Sequence, residues 1–496
     1  MLFYFFITVT LWAKEPTYTV FNVESKASLL DRTVRFGIPD KKQMEICEIP
    51  KPFMGKYTDA DRKGLAALCD LDLHGTDITP YTTDKILVAT CPKTVSSNPG
   101  IDIYRLPKNN TREAIENNDC KNAKKIAKFK QSISCSYTPS ILAYFHVSRI
   151  LGLSQMVPVS VYRTVDPGYH ERIVEKGIQL TDPEDIIHLN WRTYKSRKRQ
   201  NKKSLEKDPS RRAKLIRRLY THKNSSPNKL DDDPLLAGAL MANPRGENTF
   251  RGGLAGYSKK NERAGRPMRR IEIFLQTNFV NYTLANPLST LEFIPKRTSS
   301  KQSQIQTLVL LRDFSAMLIL DYILSQGDRF GNQHFFLYHY YLDQNNQLQR
   351  VLATDYMADV ERNMLISHGS SLFDKEVQQI FPNIKVMLLK DNDCGVTGYN
   401  FAKLYKAIDK IRHMDYDLYR KMLDLNNVYD QPRSKEFFHN VVKFSSADYK
   451  KVGANLKRVS AQLKSKCQKG TLKFDLSLPH FLAQKAYEHS DYPCAE

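Results

Sequence analysis

No Cys-x-x-Cys pair occurs among the chain's eight cysteines, which argues against a zinc ribbon or a thioredoxin-like redox site. No long apolar run follows Ala13. Stretches such as Leu308 to Leu324 are broken by Arg312, Asp313 and Asp321, so none of them reads as a stable membrane span. No Lys-Ser/Thr pair closes the glycine-rich Arg251-Gly252-Gly253-Leu254-Ala255-Gly256, so that segment is a flexible loop rather than a P-loop. No internal repeat is visible either, which excludes a solenoid or a propeller.

What is present is enough for a large core. The chain has 496 residues, of which 41% are hydrophobic, and this suits two or three folding units. Leu2 to Ala13 is apolar and is followed by Lys14-Glu15-Pro16, a pattern that fits a short secretory signal over 1–13 or a buried first strand. Cysteines at 47, 69, 91, 120, 135, 394, 467 and 494 form an even set and predict disulfides. Asn109, Asn224 and Asn281 each begin a glycosylation triplet. Together these features predict an oxidising location: a secretory lumen, a periplasm or the extracellular space.

The formal charge of +22 is unevenly spread. Residues 195–223 hold thirteen Lys or Arg against two acids, so half of the excess sits in one short segment. Its few apolar residues predict a solvated insertion that is able to hold acidic partners. Its aromatics are too sparse for a nucleic-acid stacking platform, so no specific nucleic-acid binding is expected.

Residues 14–100 read as an N-terminal extension of short β-like runs. Ile101–Tyr104 and a run ending in Lys128-Phe129-Lys130 read as strands, Ser140–Leu151 as a helix, and Met156–Arg163 as a further strand. The span 166–301 is polar, basic and hard to assign. Gln304–Gln326 has apolar residues at helical spacing and delivers Gly327-Asp328-Arg329-Phe330-Gly331-Asn332. His334–Leu342 then reads as a strand, Asp343–Asn346 as a turn, and Leu348–Ala353 as the return strand leading to Thr354-Asp355. Phe401–Leu425 and Ala447–Lys466 read as helical.

Phosphoryl transfer needs a carboxylate near the attacking hydroxyl, a metal clamp and a positive charge on the phosphates. The order of residues here meets those needs. Asp328 would orient or deprotonate the hydroxyl, Asn332 or Gln333 would bind a metal, and Asp355, returned by a hairpin, would bridge the metals. Asp359 lies close enough to compete for that last role.

The Gly-Asp-Arg loop after an apolar helix resembles the HipA-like and secretory-pathway kinases, notably the Golgi casein kinase family. Phe129-Lys130-Gln131, the helix containing Ala143 to Gly152, and Val157-Pro158-Val159 resemble that family's phosphate-binding lysine, following helix and hinge strand. The resemblance implies an α+β, two-lobed protein-kinase-like fold. Its β-rich N-lobe would span 101–165 and its mainly helical C-lobe 302–490, with an N-terminal extension and a basic insertion. It also implies that Lys130, or its neighbour Lys128, binds the phosphates of ATP with Mg or Mn as cofactor, and that the acceptor is a protein Ser/Thr or a glycan hydroxyl. Three departures stand out. Ile141 replaces the helix Glu that pairs with the lysine, Phe330 replaces a His, and Met357 follows Asp355-Tyr356 where Gly is usual. They keep open the alternative of a catalytically weak pseudokinase scaffold, and the Gly-Asp-Arg loop, which also resembles that of phosphoinositide kinases, keeps open a second, a lipid or small-molecule kinase.

Overall fold

The computed structural model describes residues 28–38, 41, 44–74, 86–95, 98–107, 110–133, 135–154, 156–195, 235–244, 246–249, 300–329, 333–343, 345, 347–353, 377–396, 399–404 and 406–494. The expected signal, the basic segment 196–223, the glycine-rich loop, Asn332, Asp355 and Asp359 lie outside them.

Eight strands share one nearly closed, barrel-like sheet: β1 (Leu30–Gly37), β2 (Met44–Pro50), β3 (Leu71–Asp72), β4 (Ile86–Pro92), β5 (Ile101–Arg105), β6 (Lys124–Gln131), β7 (Ser160–Val165) and β8 (Leu236–Ala242). Their order is β1-β2-β7-β8-β6-β5-β4-β3. Alternation along β6 sends Phe129, which is fully buried, to one face and Lys128 and Lys130 to the other. Helix α1 (Asp59–Cys69) starts on a capping box in which Thr58 and Asp61 exchange side-chain and backbone bonds. Helices α2 (Arg112–Asn117), α3 (Thr138–Ile150) and α4 (Pro167–Leu180) pack around this sheet.

A smaller sheet follows. Its strands run in the order β11 (Leu348–Leu352), β10 (Gln333–Asp343), β12 (Val377–Leu389), with β9 (Asn248–Thr249) added beside the start of β10. Helix α5 (Lys301–Ile323) is buried along most of its length through Leu308, Leu311, Phe314 and Leu318 and packs on β12. A helical region of α6 (Tyr416–Val428), α7 (Pro432–Asn440) and α8 (Ser446–Gln468) completes the chain, and α5 also packs on α8.

This architecture corrects the expected two-lobed kinase-like fold. The segment read as an extension supplies β1 to β4 of the same sheet that holds the lysine strand. Strand β8, from the region read as insertion, sits between β6 and β7 and pairs with both. A β-rich N-lobe bounded at residues 101 and 165 therefore does not exist as a separate unit. The C-terminal part also carries a sheet of its own, so it is not mainly helical throughout. The backbone hydrogen bonds decide the matter, because a buried strand edge must be paired.

All eight cysteines are bonded: Cys47–Cys69, Cys91–Cys120, Cys135–Cys394 and Cys467–Cys494. Four disulfides place the folding of this chain in an oxidising compartment. Among the described residues no helix is long and apolar enough to cross a membrane.

His146 on α3 is buried against Phe145 and Phe437, and the Tyr57 hydroxyl lies 2.7 Å from its Nδ1. Burial, helped by the positive charge of Arg149, pushes its pKa down to about 3. Below the ordinary histidine range the unfolded chain therefore binds a proton that the folded chain refuses. The neutral ring's contribution is complete above about pH 6.5 and is lost as pH falls through the range down to 3. Denaturant titrations should show a loss of about 2 kcal/mol between pH 6.5 and 5 from this group. His146→Phe should remove that slope; an unchanged slope in the variant contradicts the assignment.

Candidate functional site

Strand β6 presents Lys130 beneath the segment that leaves β12. Lys130 is 2% exposed, and its Nζ donates to Asp393 Oδ2 at 2.7 Å and to Asp391 Oδ1 at 3.0 Å. An ammonium this buried needs such partners to stay charged. Burial depresses the Lys130 pKa, but the two carboxylates more than offset it and hold the ammonium above the ordinary lysine range. Burial likewise pushes the Asp391 carboxyl up, yet Lys130 and Lys128 hold it well below the usual carboxylate range. Both carboxylates bonded to Lys130 thus come from the segment after β12, far along the chain from β6.

Asp328 lies five residues beyond the end of α5 and is exposed. Two buried side chains tie its loop to the Asp391 segment. Gln326 Oε1 accepts from the backbone N–H groups of Gly327 and Asp328 at 3.0 and 3.2 Å, while its Nε2 donates to the Asp391 carbonyl at 3.4 Å. Arg329 is fully buried. Its Nε donates to Asp321 at 3.0 Å, its Nη1 to the Asp391 carbonyl at 3.1 Å and its Nη2 to Asn392 Oδ1 at 2.7 Å. Asp321 also accepts from the Tyr144 hydroxyl at 2.7 Å, so α3 and α5 meet at one carboxylate and Arg329 links it to the Asp391 segment.

Backbone and covalent links fix the same segment. The Tyr137 N–H donates to the Asp393 carbonyl at 2.8 Å, and Ser140 Oγ to the Asn392 carbonyl at 2.6 Å. Cys394 is joined to Cys135, four residues beyond Gln131 of β6. A Cβ on Gly395 would stand 2.4 Å from Ser140 Oγ, so only glycine lets the chain pass this close to α3.

The sequence-predicted residues divide as follows. Lys130 and Asp328 come to neighbouring segments, and Lys128 lies on the same face of β6 as Lys130, 7% exposed. Gln333 opens β10 opposite Leu389. Asn332 and Asp355 lie outside the described residues. Sequence reasoning missed Asp391 and Asp393, although they directly follow the apolar run Val386–Leu389 and adjoin a cysteine and a glycine.

Asp391 and Asp393 supply hard carboxylate oxygens, the donor type that suits Mg or Mn. Beside them Asn98 Nδ2 lies 3.4 Å from Asp393 Oδ2, while its buried Oδ1 has no hydrogen-bond partner among the described residues and is a further oxygen of the right kind. Cys467, His489 and Cys494 also converge, but the two sulfurs form a disulfide and offer no thiolate. No family model matches the chain, and no curated protein matches it in sequence.

Proposed function

We propose that the chain is an ATP-dependent phosphotransferase that acts on hydroxyl groups of proteins (Ser/Thr) or glycans outside the cytosol, in a secretory, periplasmic or extracellular setting. One observation carries the reading: a buried lysine held between two aspartates, on a segment tied by Gln326 and Arg329 to the loop bearing an exposed aspartate. Positive charge, metal-type carboxylates and an accessible carboxylate are the three elements that phosphoryl transfer asks of a protein. The reading rests on this site and not on a fold, since one chemistry recurs on unrelated folds.

Lys130 would pair with phosphate oxygens, and Asp391 and Asp393 would hold Mg or Mn. The cation would neutralise charge on the phosphates. Asp328 would accept a hydrogen bond from the acceptor hydroxyl and align it. Gln326 and Arg329 would keep that carboxylate in register with Asp391.

Incubation of the oxidised protein with γ-labelled ATP, Mn or Mg, and a panel of Ser/Thr-rich proteins and glycans tests the proposal. Label should pass to one acceptor class with wild type and fall to background with Asp391→Asn. Transfer that is equal in both proteins, or absent from both across the panel, overturns it.

A further inference from the structure

Two more lysines stand beside Lys130 with no such partners. Lys128 is 7% exposed, and neither its ammonium nor that of the half-buried Lys93 has a hydrogen-bond or ion-pair partner among the described residues. Asp102 lies opposite Lys128 across β5 and β6, yet its Oδ2 is taken by Lys125 at 2.9 Å. Lys130 is already engaged by Asp391 and Asp393.

The backbone opens space between these groups. The Lys93 N–H donates to the Gly100 carbonyl at 2.9 Å, so Gly100 stands next to Lys93. A Cβ on Gly100 would lie 3.7 Å from Lys130 Cγ and 3.0 Å from the Phe129 carbonyl. Glycine at this position adds no side chain of its own between Lys93 and Lys130. Leaving ammonium groups this enclosed with no carboxylate in hydrogen-bond reach is costly, and an incoming anion offsets the cost. Their state reflects that cost. Burial and the charge of Lys130 push the Lys93 pKa down to about 8, and the same two causes push Lys128 well below the ordinary lysine range.

We propose that Lys93 and Lys128 form a second anion subsite beside Lys130, shaped for a ligand that carries two or more linked phosphates. This deepens the phosphotransferase reading and rests on it for biological meaning. The subsite would hold the part of the phosphate chain that Lys130, occupied by its aspartates, does not reach, and would make a single phosphate a poor ligand.

Calorimetric titration of the full, oxidised chain with inorganic tripolyphosphate and with orthophosphate, both without metal, tests the subsite apart from any transfer. Tripolyphosphate should bind at least about tenfold more tightly than orthophosphate, each lysine contributing a charge-assisted contact. Lys93→Met and Lys128→Met should each weaken it about tenfold or more, and Lys457→Met, an exposed lysine on α8, should leave it unchanged. Methionine suits the enclosed positions, and melting curves of each variant establish that it has folded. Equal affinity for the two anions, or tripolyphosphate binding that neither lysine variant alters, overturns the proposal. Tripolyphosphate binding without phosphate transfer to any acceptor would instead sink the transferase reading and leave the subsite standing.

Discussion

Asp328→Asn is expected to lower phosphate transfer by about 10³-fold while leaving nucleotide affinity within about twofold of wild type. The asparagine keeps the size of the side chain, and Gln326 accepts from the backbone N–H groups of Gly327 and Asp328 in its loop. It loses the negative charge that would align and accept a proton from the acceptor hydroxyl. Because Lys130, Asp391 and Asp393 are untouched, the ground-state complex with nucleotide should form normally. Steady-state kinetics with direct measurement of nucleotide Kd separates the two effects. If transfer and binding fall together, Asp328 acts through the structure of the loop and not at the acceptor.

Arg329→Met should cost about 3–5 kcal/mol of stability, the largest effect expected from one substitution near the site. The guanidinium is fully buried and Asp321 is nearly so, and removing the arginine leaves that carboxylate enclosed with the Tyr144 hydroxyl as its one side-chain donor among the described residues. The carbonyl of Asp391 and the Asn392 side chain lose a donor as well. Adding Asp321→Asn should recover part of the loss, because the uncompensated charge disappears. Denaturant unfolding of both single variants and the double variant measures this. Additive losses would mean that the pair is not coupled.

Local elements were legible in the sequence where one face or one stripe is apolar. Helix α3, the lysine strand and α5 fall within a few residues of the positions that periodicity predicts. Helix α8 does so too, since its Ser445–Asp448 capping box marks its start. What periodicity could not reveal was pairing. Strand β8 enters the large sheet between strands more than seventy residues upstream, and nothing local in Leu236–Ala242 names its neighbours. That non-local pairing, with β1 to β4 joining the same sheet, is why the two-lobed expectation failed.

The site shows the same division. A hairpin does return the chain towards the start of β10, but the return strand is β12. Strand β11 pairs β10 only between Tyr338 and Leu342, whereas β12 runs back to place Leu389 opposite Gln333. The carboxylates that reach Lys130 therefore follow Leu389, while Asp355 lies outside the described residues. Lys130 and Asp328 were readable because their loop and strand carry local signatures. Asp391 and Asp393 depend on the register of a long-range ladder, which composition does not encode.

The central claim is that Lys130, Asp391 and Asp393 form a metal-dependent nucleotide site, and calorimetric titration of ATP in the presence of Mn tests it most directly. Wild type should bind ATP at least about tenfold more tightly with the metal than without it, and Asp391→Asn and Asp393→Asn should each weaken metal-dependent binding by about 10²-fold, as expected when a buried charged partner is removed. Binding that is independent of metal, or that both variants leave unchanged, would contradict the account.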